Sequence, residues 1–212
     1  MKILYLDEVD STQLYLKNRI KDKTLTPSIL VFTKKQTSGI GSRGNSWIGE
    51  EGNLFLSFAI YKKDLPLDLK IESASIYFSY LLKEVLEEKG SKVWIKWPND
   101  FYIDDKKIGG MITTVIRDII ICGVGINIVS APKDFLKLDI DVNLEEVIEE
   151  FVKKIQNFVS WKQVFSKYSV EFYKNKSFFT HIDNQHKVPL SKAKLADDGS
   201  IIINGERIYS LR

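Results

Sequence analysis

Between Lys92 and Val129 the chain reads as one strand after another with almost nothing between them. Lys92-Val-Trp-Ile-Lys-Trp97 alternates like a strand. Pro98-Asn99-Asp100 interrupts it, Phe101–Ile103 resumes, and Asp104-Asp105-Lys106 turns the chain. Lys107–Ile116 returns, Arg117-Asp118 makes a tight turn, and Ile119–Val124 and Gly125–Val129 follow. Connections this short join antiparallel neighbours, whereas a parallel crossover takes a dozen residues or more. The centre of the fold is therefore a run of antiparallel hairpins.

The flanking segments complete an α+β pattern. Lys2–Leu6 and Ser28–Thr33 are strand-like, and Asn53–Ile60 is rich in leucine and aromatics with an almost unbroken apolarity, which predicts a central strand. Asp10 or Ser11 can cap a helix from Thr12 to about Lys21, with Leu14, Leu16 and Ile20 as its apolar members. Lys70–Lys89 is the clearest helix: Ile71, Ala74, Tyr77, Phe78, Leu81, Leu82, Val85 and Leu86 recur at helical steps, and Gly90 closes it. Asn143–Val159 and Trp161–Tyr173 are two more. From Ser177 the texture changes to short strands, at Ser177–Ile182, Lys187–Leu190, Lys194–Ala196, Ile201–Ile203 and Arg207–Leu211. Asp183-Asn184, Asp197-Asp198-Gly199 and Asn204-Gly205 separate them, and Asp-Gly and Asn-Gly are hairpin signals. The expected division is a main domain over 1–174 and a small β module over 175–212.

Composition narrows the function classes. A chain of 212 residues can bury a core without disulfides. A net charge of +3 is too small to predict nucleic-acid binding. The single cysteine, Cys122, lies in an apolar run and reads as a buried small hydrophobe in a reducing cytosol. No apolar run approaches the ~18 residues of a membrane span. Both histidines, His181 and His186, fall in the small β module, so a Ser-His-Asp triad in the main domain is excluded, as is Cys/His zinc spacing. An enzyme built from these residues works by positioning and charge stabilisation, as phosphoryl and adenylyl transfer do.

Five stretches could carry such chemistry. Gln36-Thr-Ser-Gly-Ile-Gly-Ser-Arg-Gly-Asn-Ser-Trp47 holds G-x-G-x-x-G at Gly39, Gly41 and Gly44. A dinucleotide turn needs a helix to open on that motif, and the residues after Gly44 are a poor helix, so the Rossmann reading is rejected. What remains is a flexible Gly/Ser loop with Arg43 and Trp47. Lys96-Trp-Pro-Asn-Asp100 is either a turn or an amide and a carboxylate projecting from the sheet. Lys107-Ile-Gly-Gly110 is either a solvated lysine beside a β-bulge or a cation next to a close-approach surface. Gly123-Val-Gly-Ile-Asn127 leaves one strand face bare. Asp10-Ser-Thr-Gln13 offers hydroxyls that bind a ligand or cap a helix.

In this order, the five stretches resemble biotin protein ligases along the whole chain, most specifically at Lys96–Asp100. The resemblance implies a mixed, largely antiparallel sheet backed by helices, like class II aminoacyl-tRNA synthetases, with a small Src-homology-3-like C-terminal barrel. It implies that ATP and biotin give biotinyl-5′-AMP, and that biotin then passes to a lysine of a biotin carboxyl carrier domain. On this resemblance Ser11, Thr12, Gln36, Gly39, Ile40, Gly110 and Gly125 bind biotin. Lys107 neutralises the carboxylate and the α-phosphate together, Asp100 aligns the adenylate and the incoming lysine, and Arg43 is the cation in the middle of the loop. Trp47, Asn99 and Asn127 join Arg43 and Lys107 at ATP, and Asn99 contributes to a Mg2+ site. The loop departs from the family pattern at Ile40, Ser42 and Asn45, where basic residues are usual, so looser retention of the adenylate is expected. The Asp-Ser-Thr motif starts at Asp10, leaving no room before it for a helix-turn-helix, so no operator binding is expected. The enzyme is expected in the cytoplasm, off the membrane, and a homodimer is open. Two rivals remain: a lipoate or octanoyl ligase of the same fold, and a non-catalytic biotin or nucleotide sensor.

Overall fold

The structure, a computed structural model, describes residues 1–42, 45–47, 49–181 and 186–209. Seven strands form the main sheet in the order β1 (Lys2–Leu6), β2 (Ile29–Thr33), β5 (Leu54–Tyr61), β9 (Ile119–Ile126), β8 (Lys106–Ile116), β7 (Asp100–Ile103) and β6 (Trp94–Lys96). Only β1 and β2 pair in parallel, and every other neighbouring pair is antiparallel. The sheet is thus mixed and largely antiparallel, as the short connections require. The strand expected to be central, β5, is paired on both sides, and its residues from Leu54 to Ile60 are buried.

Strand alternation gives the sheet two different faces. On one face, Leu54, Leu56 and Phe58 of β5 and Ile120, Cys122 and Val124 of β9 pack under α2 (Ala74–Glu88), α3 (Leu144–Gln156) and α4 (Trp161–Glu171). Phe58 sits edge-on to Phe78 of α2 and Phe151 of α3, with ring centroids 4.9 and 5.7 Å apart. Truncating a ring so enclosed costs about 3–5 kcal/mol. The other face carries a smaller core in which Leu16 and Ile20 of α1 (Thr12–Lys21) meet Ile29, Val31, Ala59 and Ile121. The apolar members of α1 therefore cover one end of that face, and the candidate site occupies the other.

The C-terminal strands form a two-stranded sheet of β10 (Phe179–His181) and β11 (Lys187–Pro189), and a three-stranded sheet of β12 (Lys194–Leu195), β13 (Ile201–Ile203) and β14 (Glu206–Ile208). This is the small Src-homology-3-like end expected from the sequence. The expected strands ending at Ile182 and Leu211, and the turn at Asp183-Asn184, run outside the described residues. Ser177 closes a 3-10 segment, Phe172–Ser177, instead of starting a strand. Leu190, Ala193, Ile201 and Ile203 join the main core. The Trp97 indole donates to the Gly199 carbonyl at 2.8 Å, and the Trp97 amide donates to Asn175 Oδ1 at 2.7 Å. Trp97, fully buried, thus ties the C-terminal end to the Lys96–Asp100 stretch.

Candidate active site

Sheet register builds the floor of the site. Phe55 pairs with Gly125, Gly125 with Gly110, and Gly110 with Asp100, so these four form one row across four strands. The next row is Ser57, Gly123 and Ile112. Three glycines therefore sit side by side on the face that α1 leaves uncovered. Bare backbone there lets a flat ring lie against the sheet. The cavity above it is lined by Ser11, Thr12, Gln13, Gln36, Ser57, Trp47, Asn99, Asp100 and Lys107, among others.

A β-bulge brings Lys107 to this face. Phe101 pairs with Gly109 and Tyr102 with Lys107, which leaves Ile108 as the extra residue in β8. In a regular strand Lys107 and Gly110 would point to opposite faces. With the bulge, Lys107 Nζ lies 2.6 Å from Asp100 Oδ1. A β-carbon placed on Gly110 would stand 3.1 Å from Asp100 Oδ1 and 3.4 Å from Lys107 Nζ. Lys96 Nζ is 3.8 Å from the other Asp100 oxygen. The β-bulge is therefore present, but the lysine beside it is paired with Asp100 instead of solvated: the bulge is what aims it.

The opposite end of the cavity is neutral and polar. Gln36 Oε1 accepts from the Thr12 amide at 2.8 Å and from the Thr12 hydroxyl at 3.1 Å. Thr12 Oγ1 also lies 2.9 Å from Ser57 Oγ. An amide oxygen only accepts, so Thr12 donates to Gln36 and Ser57 donates to Thr12. Gln36 Nε2 then keeps its donors, and Ser57 keeps acceptor capacity. Gln13 Oε1 is buried without a hydrogen-bond partner. A β-carbon on Gly123 would meet that oxygen at 2.6 Å and Ser57 Oγ at 3.0 Å. The end wall therefore offers two acceptors and an amide donor around the bare Gly123.

The described residues of the Gln36–Trp47 stretch roof the cavity. The stretch was expected as a loop without regular structure, but Gly39–Ile40 (β3) and Ser46–Trp47 (β4) pair as a short antiparallel ribbon. Only glycine permits this pairing at position 39, where a β-carbon would stand 2.5 Å from the Trp47 carbonyl. The ribbon's base is pinned to the chain before α1: Thr37 donates to the Val9 carbonyl at 3.0 Å and Ser38 to that of Asp10 at 2.8 Å. Among the described residues no α-helix opens on the glycines, in keeping with the rejected dinucleotide turn. The Trp47 indole lies on Gly125, where a β-carbon would be 2.6 Å from Cε2, and its Nε1 has no hydrogen-bond partner. Beneath the ribbon about 60 Å³ stays open.

Most of the residues expected at the site meet here: Ser11, Thr12, Gln36, Ile40, Trp47, Asn99, Asp100, Lys107, Gly110 and Gly125 all line the cavity. Ser11 also caps α1, its hydroxyl accepting from the Leu14 amide at 3.4 Å. Asn99 donates through Nδ2 to the Met111 carbonyl, so its amide oxygen is the atom left for a ligand. Gly39 supports the ribbon from outside the lining. Asn127, one residue beyond β9, is buried outside the lining, with Nδ2 on the Leu136 carbonyl at 3.1 Å and Oδ1 unpartnered. Arg43 lies outside the described residues. Ser57, Gln13 and Gly123 were not assigned from sequence. Ser57 was visible as the one serine in the apolar run Leu54–Tyr61. Gln13 followed the hydroxyls of Ser11 and Thr12, and Gly123 opened the bare-face motif.

Residues 5–127 match the profile of the biotin/lipoate A/B protein ligase family. The chain belongs to this family. Among solved structures, biotin acetyl coenzyme A carboxylase synthetase from Helicobacter pylori with bound biotinylated ATP superposes with a TM-score of 0.93. It is 41% identical, over 98% of this chain and 99% of that one. The biotin protein ligase from Aquifex aeolicus, 23% identical with a TM-score of 0.78 over 100% of this chain and 96% of that one, shares the fold. Among curated relatives, the bifunctional ligase/repressor BirA of Bacillus subtilis is 31% identical over 139 residues, which are 63% of this chain and 42% of BirA. The chain thus matches less than half the length of that relative. All five motif stretches up to Gly125-Ile-Asn127 lie within the span matched to the family.

Proposed function

We propose that this chain is a biotin–protein ligase that makes biotinyl-5′-AMP from biotin and ATP, then transfers biotin to a lysine of a carboxyl carrier domain. The observation that carries the reading is the polarity of the cavity. A ureido group has one carbonyl acceptor and two N–H donors. The neutral end complements it, with Gln36 Nε2 as donor and with Ser57 Oγ and the orphaned Gln13 Oε1 as acceptors. The glycine floor suits a flat fused ring, and the Lys107–Asp100 pair suits a carboxylate at the far end. A dithiolane or a plain acyl tail would leave the buried amide and hydroxyl groups unpaired, at about 1–3 kcal/mol each, which disfavours lipoate and octanoate.

The chemistry follows from two anions having to meet. A biotin carboxylate oxygen attacks the α-phosphorus, the new C–O–P bond forms, and the bond from phosphorus to the bridging oxygen breaks, releasing pyrophosphate with its electron pair. Lys107, held by Asp100, lowers the repulsion between the two reactants. In the second half, the carrier lysine attacks the acyl carbon and AMP leaves, with Asp100 aligning the amine. The Asn99 amide oxygen and Asp100 supply few donors for a cation. This fits Mg2+, which keeps waters and binds mainly through phosphates. When bound there, Mg2+ would neutralise charge on the phosphates. Trp47, lying on Gly125 with its N–H unpaired, offers an aromatic face to adenine. The remaining open space is far below the ~300 Å³ of an ordinary ligand site, so the β3–β4 ribbon must lift to admit substrates and can close over the adenylate to exclude water. The test is ATP–pyrophosphate exchange driven separately by biotin, lipoate and octanoate. Biotin-dependent exchange supports the reading, exchange driven only by lipoate or octanoate replaces it with the acyl-ligase rival, and none at all favours a sensor.

A further inference from the structure

The turn that presents Asn99 and Asp100 hangs from the edge of the main sheet. Lys96 of β6 pairs with Asp100 of β7, and only Trp97, Pro98 and Asn99 lie between them. So short a link has no slack, and its position fixes that of the Asp100 carboxylate, with Lys107 Nζ 2.6 Å away. On the inner side Asn99 ties the turn to β8: its carbonyl accepts from the Met111 amide at 3.0 Å, and its Nδ2 donates to the Met111 carbonyl. On the outer side, among the described residues, β6 has no further strand. A buried N–H on such an edge still needs an acceptor. Asn175 supplies it, with Oδ1 2.7 Å from the Trp97 amide. Pro98 has no N–H, so this amide and that of Asn99 are the only backbone donors of the three-residue link. The indole bond from Trp97 to Gly199 fixes the ring, whereas the bond to Asn175 fixes the backbone.

Asn175 is itself held in place. It is fully buried in the 3-10 segment Phe172–Ser177, where its Nδ2 donates to the Phe172 carbonyl at 3.2 Å and its carbonyl accepts from the Phe178 amide at 2.9 Å. That segment continues directly from α4, whose last residue, Glu171, is anchored on α2. Lys83 of α2 is 1% exposed, its Nζ lies 2.5 Å from Glu171 Oε1, and the Tyr80 hydroxyl donates to the same oxygen at 3.1 Å. Separating such a pair would strand a buried charge, so the anchor is firm. Contacts therefore run without a break from the helix layer through Asn175 to the Trp97 backbone and on to Asp100. Resting on the ligase reading, we propose that Asn175 is a positioning residue for both half-reactions, holding the Trp97–Asn99 turn where Asp100 meets Lys107 at the end of the glycine row. Asn175 lies outside the cavity lining, so it acts only through the turn. Adenylation depends on Lys107, which Asp100 holds, and transfer depends on Asp100 aligning the amine, so both rates depend on this placement.

The experiment uses the full chain, well below its melting temperature. Asn175→Leu keeps the shape of the side chain and removes the acceptor, leaving the Trp97 N–H to shift the turn in search of another. The kcat of biotin-dependent ATP–pyrophosphate exchange and that of transfer from preformed biotinyl-5′-AMP to a carrier domain should each fall about tenfold, the scale of a misplaced reacting group. The Kd for biotin should stay within about twofold, because the Gln36, Ser57 and Gln13 end of the cavity is not attached to this turn. Asn175→Asp keeps an acceptor oxygen in the same place and should bring both rates back to within about threefold of the unsubstituted chain. An unmoved kcat in either half-reaction, a loss of biotin affinity in step with the rates, or no recovery in Asn175→Asp overturns the proposal and leaves Asn175 a residue of the fold alone. If Asn175→Leu does not fold, Asn175→Ser, too short to reach the Trp97 amide, is read by the same criteria. No exchange by the unsubstituted chain overturns the ligase reading itself, and this role with it.

Discussion

Replacing Gly123 by alanine puts one methyl group in the middle of the floor. The new carbon would lie 2.6 Å from Gln13 Oε1 and 3.0 Å from Ser57 Oγ, well inside van der Waals contact. Both neighbours are side-chain ends, and the bonds from Gln13 Nε2 to Thr114 Oγ1 and the Ile121 carbonyl are long, at 3.5 and 3.4 Å. Gln13 can therefore swing aside, at the cost of about 1–3 kcal/mol usual for an overpacked site. That is a fall of a few degrees in Tm for a chain of this size. Binding suffers separately. The displaced Gln13 and Ser57 lose two hydrogen bonds to the ureido group, about 1 kcal/mol each, so biotin should bind roughly 30-fold more weakly. Titration calorimetry with biotin and a thermal melt on the same sample separate the two effects. Biotin affinity within threefold of the unsubstituted chain, with the Tm lowered as expected, would show that the ureido group does not lie over Gly123.

Lys107→Ala should cut biotin-dependent exchange by at least 100-fold. Two anions about 4 Å apart repel by about 4 kcal/mol at an effective dielectric of 20, and the partial exposure of Lys107 reduces that somewhat; a fall under tenfold in initial-rate assays would count against the role given to it. Cys122 is fully buried and burial pushes its thiol up to about 12, so a disulfide reagent at pH 8 should label it only after denaturant is added. Asp68 caps α4 from a distance, accepting from the Trp161 and Lys162 amides at 3.0 and 2.9 Å. Desolvation acts to raise its carboxyl, but those two amides together with Asp68's own amide outweigh it and hold it below the usual value of 3.8. Its contribution is present above that value and is lost as pH falls through the lower folded value. Urea melts from pH 6 down to pH 3 should therefore show a downward step that Asp68→Asn removes.

The hairpins were legible because their turns are short and their strands alternate, and local signals of that kind survive folding. The helices were legible for the same reason, although α2 begins at Ala74 behind a 3-10 turn, Ile71–Ser73, instead of at Lys70. The β3–β4 ribbon was not legible. Glycine and serine favour no strand, and the ribbon's base is held by carbonyls of Val9 and Asp10, far away in sequence. Gln13 was missed because its partnerless oxygen matters only beside Gly123, 110 positions later. Asn127 follows the floor glycines Gly123 and Gly125 at the same two-residue step, yet it lies just beyond the end of β9 and outside the cavity lining, where the Leu136 carbonyl takes its amide.

The site depends most on one residue that touches no ligand. Ile108 is buried on the helical face, and its presence as the extra residue shifts every later side chain of β8 by one step relative to β7. Without that shift, Lys107 and Gly110 could not share a face, and the cation would point into the core beside Trp97 and Phe101. With it, Asp100, Gly110 and Gly125 fall into one row, and Lys107 hangs over the row's end. The reactive lysine and the flat floor are thus produced by one register defect, which is why a sequence of ordinary strand residues can hold a charged reaction centre at the edge of an apolar sheet.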